Sequence, residues 1–197
     1  MNEEQYSQIT DALVDTGYIV IEDALDKVLI DKLYTLSQNE IQYKQAGISN
    51  TKNSHVDSTK RSDKTQWLDE DAGVTSKYLS FSDGLREYLN RSLYLGLTYY
   101  EAHFAIYDVG GFYEKHLDAF VGDENRVVTT LFYLNTQWSQ SDEGEMIMYN
   151  MNGRELERIT PRGGTLVVFL SDKFPHEVLV TKKKRHSIAG WFRADRR

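Results

Sequence analysis

The sequence contains no cysteine, no long apolar stretch and no excess of basic residues. Without cysteine the chain can form neither disulfides nor zinc–thiolate sites, and it cannot use a cysteine nucleophile. No stretch approaches the roughly 18–20 apolar residues of a membrane span. The acidic start of the chain also lacks the basic residues and apolar block of a signal peptide. We therefore expect a cytoplasmic protein with no membrane partner.

The charge balance is acidic, with a formal net charge of −7 at pH 7. Binding to nucleic acid regardless of its sequence requires Lys and Arg to neutralise phosphates, so this balance argues against a nucleic-acid partner. The densest basic run, KKKR at 182–185, is interpreted as a solvated turn leading into a strand. With 40% hydrophobic and 27% charged residues among 197, the composition is typical of a single globular domain.

The hydrophobic pattern changes character near residue 99. Before it, helical spacing and short strands alternate, with helices expected at 3–14, 26–38 and 82–94 and strands at 18–21 and 65–68. Residues 45–60 are polar and rich in turn formers, which predicts an exposed, mobile loop. After it, short strands alternate with glycine turns, at 99–107, 126–134, 145–149, 166–169, 177–180 and 185–192. We expect a mainly β sandwich or jelly roll at 99–197, supported by helices and strands of 1–98.

A candidate metal site lies in the β region. His116 and Asp118 are two positions apart at a strand end, where residues i and i+2 project to the same face. A third ligand, His176, follows 58 residues later and opens an apolar strand. Two histidines and one carboxylate leave three positions of an iron(II) ion open, so that a bidentate co-substrate and oxygen can both bind. The alternative is chance, because five histidines and thirty acidic residues make such pairs frequent.

A candidate carboxylate site accompanies these residues. Arg185 and Ser187 share one face of the last strand with Trp191, and a guanidinium pairs bidentately with a carboxylate. Tyr133 and Tyr107, the latter on the same face as His103, offer phenols from two other strands. Taken singly, these residues are better explained as a surface charge and ordinary strand packing; only together with the candidate ligands do they indicate a site.

The motifs occur in an order that resembles one family. They are YDVGGFYEKHLD at 107–118, RVVTTLFYLN at 126–135, GEM at 144–146, PHEV at 175–178 and RHSIAGW at 185–191. Together they resemble the prolyl 4-hydroxylases among the 2-oxoglutarate- and iron(II)-dependent oxygenases, most closely the bacterial branch related to animal oxygen-sensing prolyl hydroxylases. The segment Arg61-Ser-Asp63-Lys-Thr-Gln-Trp67 is similar to an Arg-x-Asp-x-x-x-Trp segment of that branch.

The resemblance implies a double-stranded β-helix, a cupin-like jelly roll, with iron(II) held by His116, Asp118 and His176. It implies that Arg185 and Tyr133 bind the distal carboxylate of 2-oxoglutarate. Tyr107 and Ser187 would lie near the same carboxylate. The resemblance further implies that the enzyme consumes O2 and that ascorbate serves as a reductant. The segment after His176 is one residue shorter than in much of the wider family. Lys184 is therefore the alternative to Arg185 as the residue that binds the distal carboxylate of 2-oxoglutarate.

The resemblance also suggests how a substrate binds. It implies hydroxylation of a prolyl residue in a protein, with elongation factor Tu as first candidate and with release of succinate and CO2. The loop at 45–60 would fold over the substrate, and Asp63 would pair with Arg126. The expected substrate-binding residues are Arg61, Asp63, Trp67, His103, Arg126 and Trp191. The alternatives are a hydroxylase of a free amino acid or other small molecule, and a non-catalytic metal-binding jelly-roll sensor.

Overall fold

Two antiparallel β-sheets face each other in the computed structural model, which describes residues 3–50, 53–55, 59–68, 73–119 and 125–194. The major sheet has seven strands in the order β1-β11-β8-β13-β6-β5-β2, and the minor sheet has four in the order β10-β9-β12-β7. A separate pair, β3 and β4, forms a small hairpin. This arrangement is the jelly roll that the strand pattern predicts.

The strands have the following bounds: β1 Tyr18–Ile21, β2 Lys44–Gln45, β3 Ile48–Asn50, β4 Asn53–His55, β5 Lys64–Trp67, β6 Tyr99–Tyr107, β7 Tyr113–His116, β8 Arg126–Tyr133, β9 Met146–Tyr149, β10 Glu155–Ile159, β11 Leu166–Leu170, β12 His176–Val178 and β13 Arg185–Arg193. The helices are α1 Glu3–Asp15, α2 Lys27–Ser37 and α3 Gly73–Leu93. Strands β1, β2 and β5, all from the first half of the chain, therefore occupy both edges of the major sheet.

The three helices cover the outer face of the major sheet. Their apolar residues pack with the outward-facing residues of the sheet into one large buried cluster, which includes Ile9, Leu33 and Leu85 from the helices and Phe132 and Phe192 from the strands. Helix α2 begins where the sequence predicts, because the Asp26 carboxylate caps the N–H groups of its first turn. With this face sealed by helices, the other face of the sheet is free to line a cavity.

Three features differ from the sequence-based expectations. Helix α3 begins at Gly73 rather than at 82, because Thr75, Tyr78 and Phe81 add a buried first half to the helix. The mostly charged strand β10 does not follow an alternating pattern and is not predicted. Within 45–60, the segments Ile48–Asn50 and Asn53–His55 pair as β3 and β4, which the sequence pattern does not predict. Residues 51–52 and 56–58 lie outside the described part, and the mobility of this segment stays a prediction.

The three lysines of the basic run form a turn that leads into β13, in agreement with its interpretation, and each lies near a carboxylate. Lys182 lies 2.6 Å from Glu143, and Lys184 lies 2.6 Å from Glu40. The third lysine, Lys183, lies 3.6 Å from a further carboxylate. These pairs leave little free positive charge for phosphates. Among the helices of the described part, none combines the length and the hydropathy that crossing a bilayer requires.

A buried histidine ties the major sheet to the helical layer and makes stability depend on pH. His186 on β13 contacts the Ser37 hydroxyl through Nδ1 at 2.9 Å and is only 2% exposed. Burial, and then the Lys184 charge, lower the pKa of His186 to about 4, although Glu40 and Asp108 oppose the shift. The neutral imidazole is thus the form that the fold accommodates.

We expect the iron-free protein to lose stability as the pH falls from about 6.5 to about 4. In that window His186 binds a proton in the unfolded chain but stays neutral in the folded protein, so protonation favours the unfolded state. The loss in the free energy of unfolding that His186 causes should reach about 3 kcal/mol once the pH is below both of its pKa values. Denaturant unfolding at several pH values, compared between wild type and His186→Asn, measures it. Equal slopes of stability against pH in the two proteins would contradict this assignment.

Candidate active site

A cavity of about 390 Å³ lies between the two sheets and opens at one end. Antiparallel pairing places every second residue of three central strands on its wall. On β13 the wall residues are Arg185, Ser187, Ala189 and Trp191. Their cross-strand partners on β6 are, in the same order, Tyr107, Ala105, His103 and Glu101. On the other side of β13, Ser187, Ala189 and Trp191 pair with Tyr133, Leu131 and Thr129 of β8. Residues that the sequence predicts to share a face line the cavity along β13 and β6, and Thr129 and Leu131 line it from β8. The volume falls within the usual range for small-molecule sites.

The three candidate metal ligands meet on the opposite wall. His176 on β12 and His116 on β7 are direct cross-strand partners, with ring centroids 4.3 Å apart. Asp118 lies just beyond the end of β7, so it is not on the strand as expected. Its two carboxylate oxygens each lie 3.7 Å from one histidine Nε2. The ligand atoms of all three residues lie within 4.8 Å of one another, which suits one ion held by a face of three donors.

Backbone carbonyls orient both imidazoles. The Nδ1 atom of His116 lies 2.8 Å from the Glu114 carbonyl oxygen, and that of His176 lies 3.0 Å from the Phe174 carbonyl oxygen. Since a carbonyl only accepts, each Nδ1 carries the proton and each Nε2 presents its lone pair to the site. Burial, and then His176, lower the pKa of His116 to about 3, against the opposing charge of Asp118. A neutral imidazole is the form that binds a metal.

The carboxylate is buried but remains ionised. Burial alone would raise the pKa of Asp118, yet the neighbouring His176, His116 and Arg126 outweigh burial and the pKa is lowered. Thr129 on β8 donates a hydrogen bond to the Asp118 Oδ2 atom at 2.9 Å. The site therefore offers one anionic and two neutral donors, which suits a divalent ion such as iron(II).

A buried ion pair supports this wall from the side. The Arg61 guanidinium forms two hydrogen bonds to the fully buried Asp63 carboxylate, at 2.7 and 2.6 Å. The same guanidinium lies 4.3 Å from the ring centroid of Tyr113, and that ring stacks on His116 at 3.6 Å. The segment before β5 is thereby connected to a candidate metal ligand through a single aromatic ring.

At the closed end of the cavity lies an uncompensated cation. Arg185 is 1% exposed, and its Nε and Nη2 atoms have no hydrogen-bond partner. Among the described residues, no carboxylate forms an ion pair with it. Burying a charge without a partner is costly, and a bidentate carboxylate is the ligand that a guanidinium fits best. A dicarboxylate whose other end reaches the metal site would satisfy it.

Two phenols flank this guanidinium. The Arg185 Cζ atom lies 4.9 Å from the ring centroids of both Tyr107 and Tyr133. The Tyr133 hydroxyl is buried without a partner, so it too is available to a ligand. Tyr107 and Ser187 line the cavity, and Tyr133 lies beside Arg185. Lys184, the alternative in the sequence, lies outside the cavity and is bonded to Glu40.

Aromatic rings and an arginine form the open end, which we call the mouth. Trp67 and Trp191 each lie with ring centroids 5.3 Å from His103, and the Arg126 guanidinium lies 3.8 Å from the Trp191 ring centroid. Trp67 is 58% exposed, whereas His103 is buried. Burial lowers the pKa of His103 to about 4, so the mouth presents a neutral imidazole. The buried Trp191 indole N–H lies near the Asp118 carboxylate and helps to lower the pKa of Asp118.

The expected pairing of Asp63 with Arg126 is wrong. Asp63 pairs with Arg61, two residues before it in the chain. Arg126 instead pairs with Glu101 at 3.1 Å, the same carboxylate that accepts from Arg193 at 2.9 Å. Arg61 and Arg126 both line the cavity. The sequence does not report which of the two lies next to Asp63.

The sequence-based reasoning missed three side chains around the triad: Tyr113, which stacks on His116; Thr129, which binds Asp118; and Ser171, which binds Thr129. Thr129 carries a usable signal, since it is a polar residue on the cavity-facing side of a buried strand. Ser171 carries none, because it lies in the turn after β11, which only the fold brings to the site.

Comparisons with known proteins agree with this geometry. The family described as the 2OG-Fe(II) oxygenase superfamily matches residues 102–193. Egl nine homolog 1 from Rattus norvegicus is 35% identical over 88 residues, which is 43% of this chain and 26% of that protein. The chain thus spans about a quarter of the length of this curated relative.

Solved structures match over nearly the whole chain. A Pseudomonas putida prolyl-4-hydroxylase is 34% identical, with a TM-score of 0.87 over 97% of this chain and 100% of that one. A Trichoplax adhaerens prolyl hydroxylase, solved with a hypoxia inducible factor peptide, is 25% identical, with a TM-score of 0.85 over 98% and 90% of the two chains. The cavity, the His-Asp-His cluster and these matches lead to one conclusion: the chain belongs to the prolyl 4-hydroxylase family of the 2-oxoglutarate- and iron(II)-dependent oxygenases.

Proposed function

We propose that this enzyme hydroxylates a prolyl residue in a protein or peptide, with conversion of 2-oxoglutarate and O2 to succinate and CO2. The observation that carries the proposal is the layout of one cavity. It has a buried, unpaired guanidinium at its closed end, three metal donors in its wall and an aromatic mouth open to solvent. The Pseudomonas putida and Trichoplax adhaerens relatives, both described as prolyl hydroxylases, favour proline as the target. Elongation factor Tu is the protein to test first.

Three side chains fit the resident metal. His116, Asp118 and His176 would hold iron(II), because their donor atoms already converge and their protonation states suit it. When bound, iron(II) with 2-oxoglutarate supplies the chemistry that activates O2 and oxidises a substrate C–H bond. The protein's own part is to keep both imidazole Nε2 atoms and one carboxylate aimed at a common point and to exclude bulk water from it.

The closed end fits the co-substrate. Arg185 would pair with the distal carboxylate of 2-oxoglutarate, and the unpartnered Tyr133 hydroxyl would donate to it. Tyr107 and Ser187 would complete the polar end, with Ser187 lying 3.5 Å from Arg185. The ligand's carboxylate would thereby neutralise a charge that no carboxylate of the described residues compensates, which gives binding energy and orientation at once.

The mouth fits a cyclic, weakly polar side chain. The aromatic faces of Trp67, His103 and Trp191 would pack against a pyrrolidine ring. Arg126, held against Trp191, would meet the peptide backbone or an acidic neighbour. Arg61 and Asp63 would contribute mainly by holding this side of the cavity rigid.

The test is turnover with separate classes of substrate. Purified enzyme is incubated with iron(II), 2-oxoglutarate and ascorbate, and succinate is measured with elongation factor Tu, with proline-containing peptides from it, and with free proline and other amino acids. Mass spectrometry then locates an added oxygen. We expect stimulated succinate formation and one oxygen on a prolyl residue of the protein or peptide.

Other outcomes would support the rival functions. Stimulation by a free amino acid alone would indicate a small-molecule hydroxylase. Iron(II) binding without any turnover would indicate a metal-binding sensor. Ascorbate as reductant stays a prediction, checked by omitting it from the same assay over many turnovers.

A further inference from the structure

A chain of buried hydroxyl groups leads from the end of β11 to the candidate carboxylate ligand. The Ser171 hydroxyl lies 2.9 Å from that of Thr129, and Thr129 lies 2.9 Å from the Asp118 Oδ2 atom. Ser171 and Thr129 are 0% and 1% exposed. Neither residue has a place in the cofactor and substrate binding described above.

The direction of these bonds follows from the groups involved. A carboxylate oxygen can only accept, so the Thr129 hydroxyl must donate to Asp118. Having one proton, Thr129 must then accept from Ser171. The result is a one-way relay, Ser171 to Thr129 to Asp118, in which each hydroxyl is fixed by the next.

The backbone is anchored at the same place. The Ala119 N–H donates to the Ser171 carbonyl oxygen at 3.3 Å, and the Ser171 N–H donates to the Val127 carbonyl oxygen at 3.1 Å. Asp118 lies beyond the last residue of β7, so no strand pairing of its own fixes it. Hydrogen bonds to the major sheet and to the turn after β11 fix its position instead. The major sheet lies across the cavity from the strands that carry the two histidines.

We propose that Thr129, held by Ser171, is the positioning residue of Asp118: its hydrogen bond to Oδ2 fixes the rotation of the carboxylate so that it faces the Nε2 atoms of His116 and His176. The proposal rests on the assignment of Asp118 as a metal ligand. Groups that orient metal ligands typically change metal affinity by about 10- to 100-fold when removed.

The test measures iron(II) affinity of purified protein without oxygen, together with the visible band formed with 2-oxoglutarate. We expect Thr129→Val, which keeps the shape but loses the hydroxyl, to weaken iron(II) binding by about 10- to 100-fold. Thr129→Ser should restore most of the affinity. Ser171→Ala should weaken binding less, and it keeps the test possible if Thr129→Val does not fold.

Thr130→Val is the matched control. Thr130 is the next residue of the same strand and is equally buried, but its hydroxyl bonds to Tyr100 on the opposite face at 2.8 Å. We expect this variant to lower the melting temperature and leave iron(II) affinity unchanged. Equal losses of affinity in the two valine variants, or wild-type affinity in Thr129→Val and Ser171→Ala, would overturn the proposal.

Asp118→Ala separates this proposal from the one on which it rests. Unchanged iron(II) affinity in Asp118→Ala would overturn the ligand assignment and the inference together. Lost affinity in Asp118→Ala, combined with wild-type affinity in Thr129→Val, would overturn the inference alone.

Discussion

We expect Asp118→Asn to abolish succinate formation, to the background measured without enzyme, and to prevent the visible band that iron(II) and 2-oxoglutarate form together. The substitution preserves shape but removes the anionic donor of the site, and two neutral imidazoles do not compensate the charge of a buried divalent ion. Anaerobic titration with iron(II) and a succinate assay measure the two effects.

Asp108→Asn is the appropriate control for this loss. Asp108 is an exposed carboxylate ten residues earlier that pairs with Lys64 at the surface, and surface pairs of this kind contribute little. The control should retain wild-type turnover. Substantial turnover by Asp118→Asn would remove Asp118 from the ligand set.

We expect Arg185→Ala to raise the KM for 2-oxoglutarate by about 100-fold, with a smaller effect on kcat at saturation. The guanidinium is the sole cation placed to meet the distal carboxylate among the described residues that line the cavity's closed end. Losing one partner of a buried, hydrogen-bonded charge pair costs about 3 kcal/mol, which corresponds to roughly 100-fold. Succinate formation against 2-oxoglutarate concentration gives both constants.

Lys184→Ala provides the matched comparison, because Lys184 is the neighbouring cation and the alternative that the sequence leaves open. Its side chain is 43% exposed and pairs with Glu40, so its removal should leave the KM for 2-oxoglutarate unchanged. If Arg185→Ala instead leaves the requirement for 2-oxoglutarate as it is and Lys184→Ala alters it, the assignment at the closed end is reversed.

Much of the site could be predicted from the sequence because strand alternation is a strictly local property. Once β13 is recognised as a strand, Arg185, Ser187 and Trp191 must share a face, and the same holds for His103 and Tyr107 on β6. These faces do meet in one cavity. Asp26 as the cap of α2 is equally local, since a side chain and the N–H groups two and three residues later decide it.

The errors arise where a residue has several eligible partners. Asp63 pairs with Arg61 rather than with Arg126, and Arg126 pairs with Glu101. Which partner a charged residue finds depends on which strands are adjacent, and a local sequence pattern does not show this. Strand β10 escapes prediction because an edge strand with charged residues needs little hydrophobic alternation.

The sequence by itself indicated the chemistry of this protein: its motifs resemble one family, and that resemblance implies which residues bind the metal and co-substrate in our proposal. Residue type and a two-residue period added that most of these residues lie on β-strands, although Asp118 lies just beyond the end of one. Only the tertiary structure decided that His116 and His176 are cross-strand partners, that Arg185 is buried without a counter-charge, and that Thr129 and Ser171 support Asp118. Such contacts join segments more than ten residues apart in the chain, and their free energy depends on packing and burial that exist only after the two sheets have closed on each other.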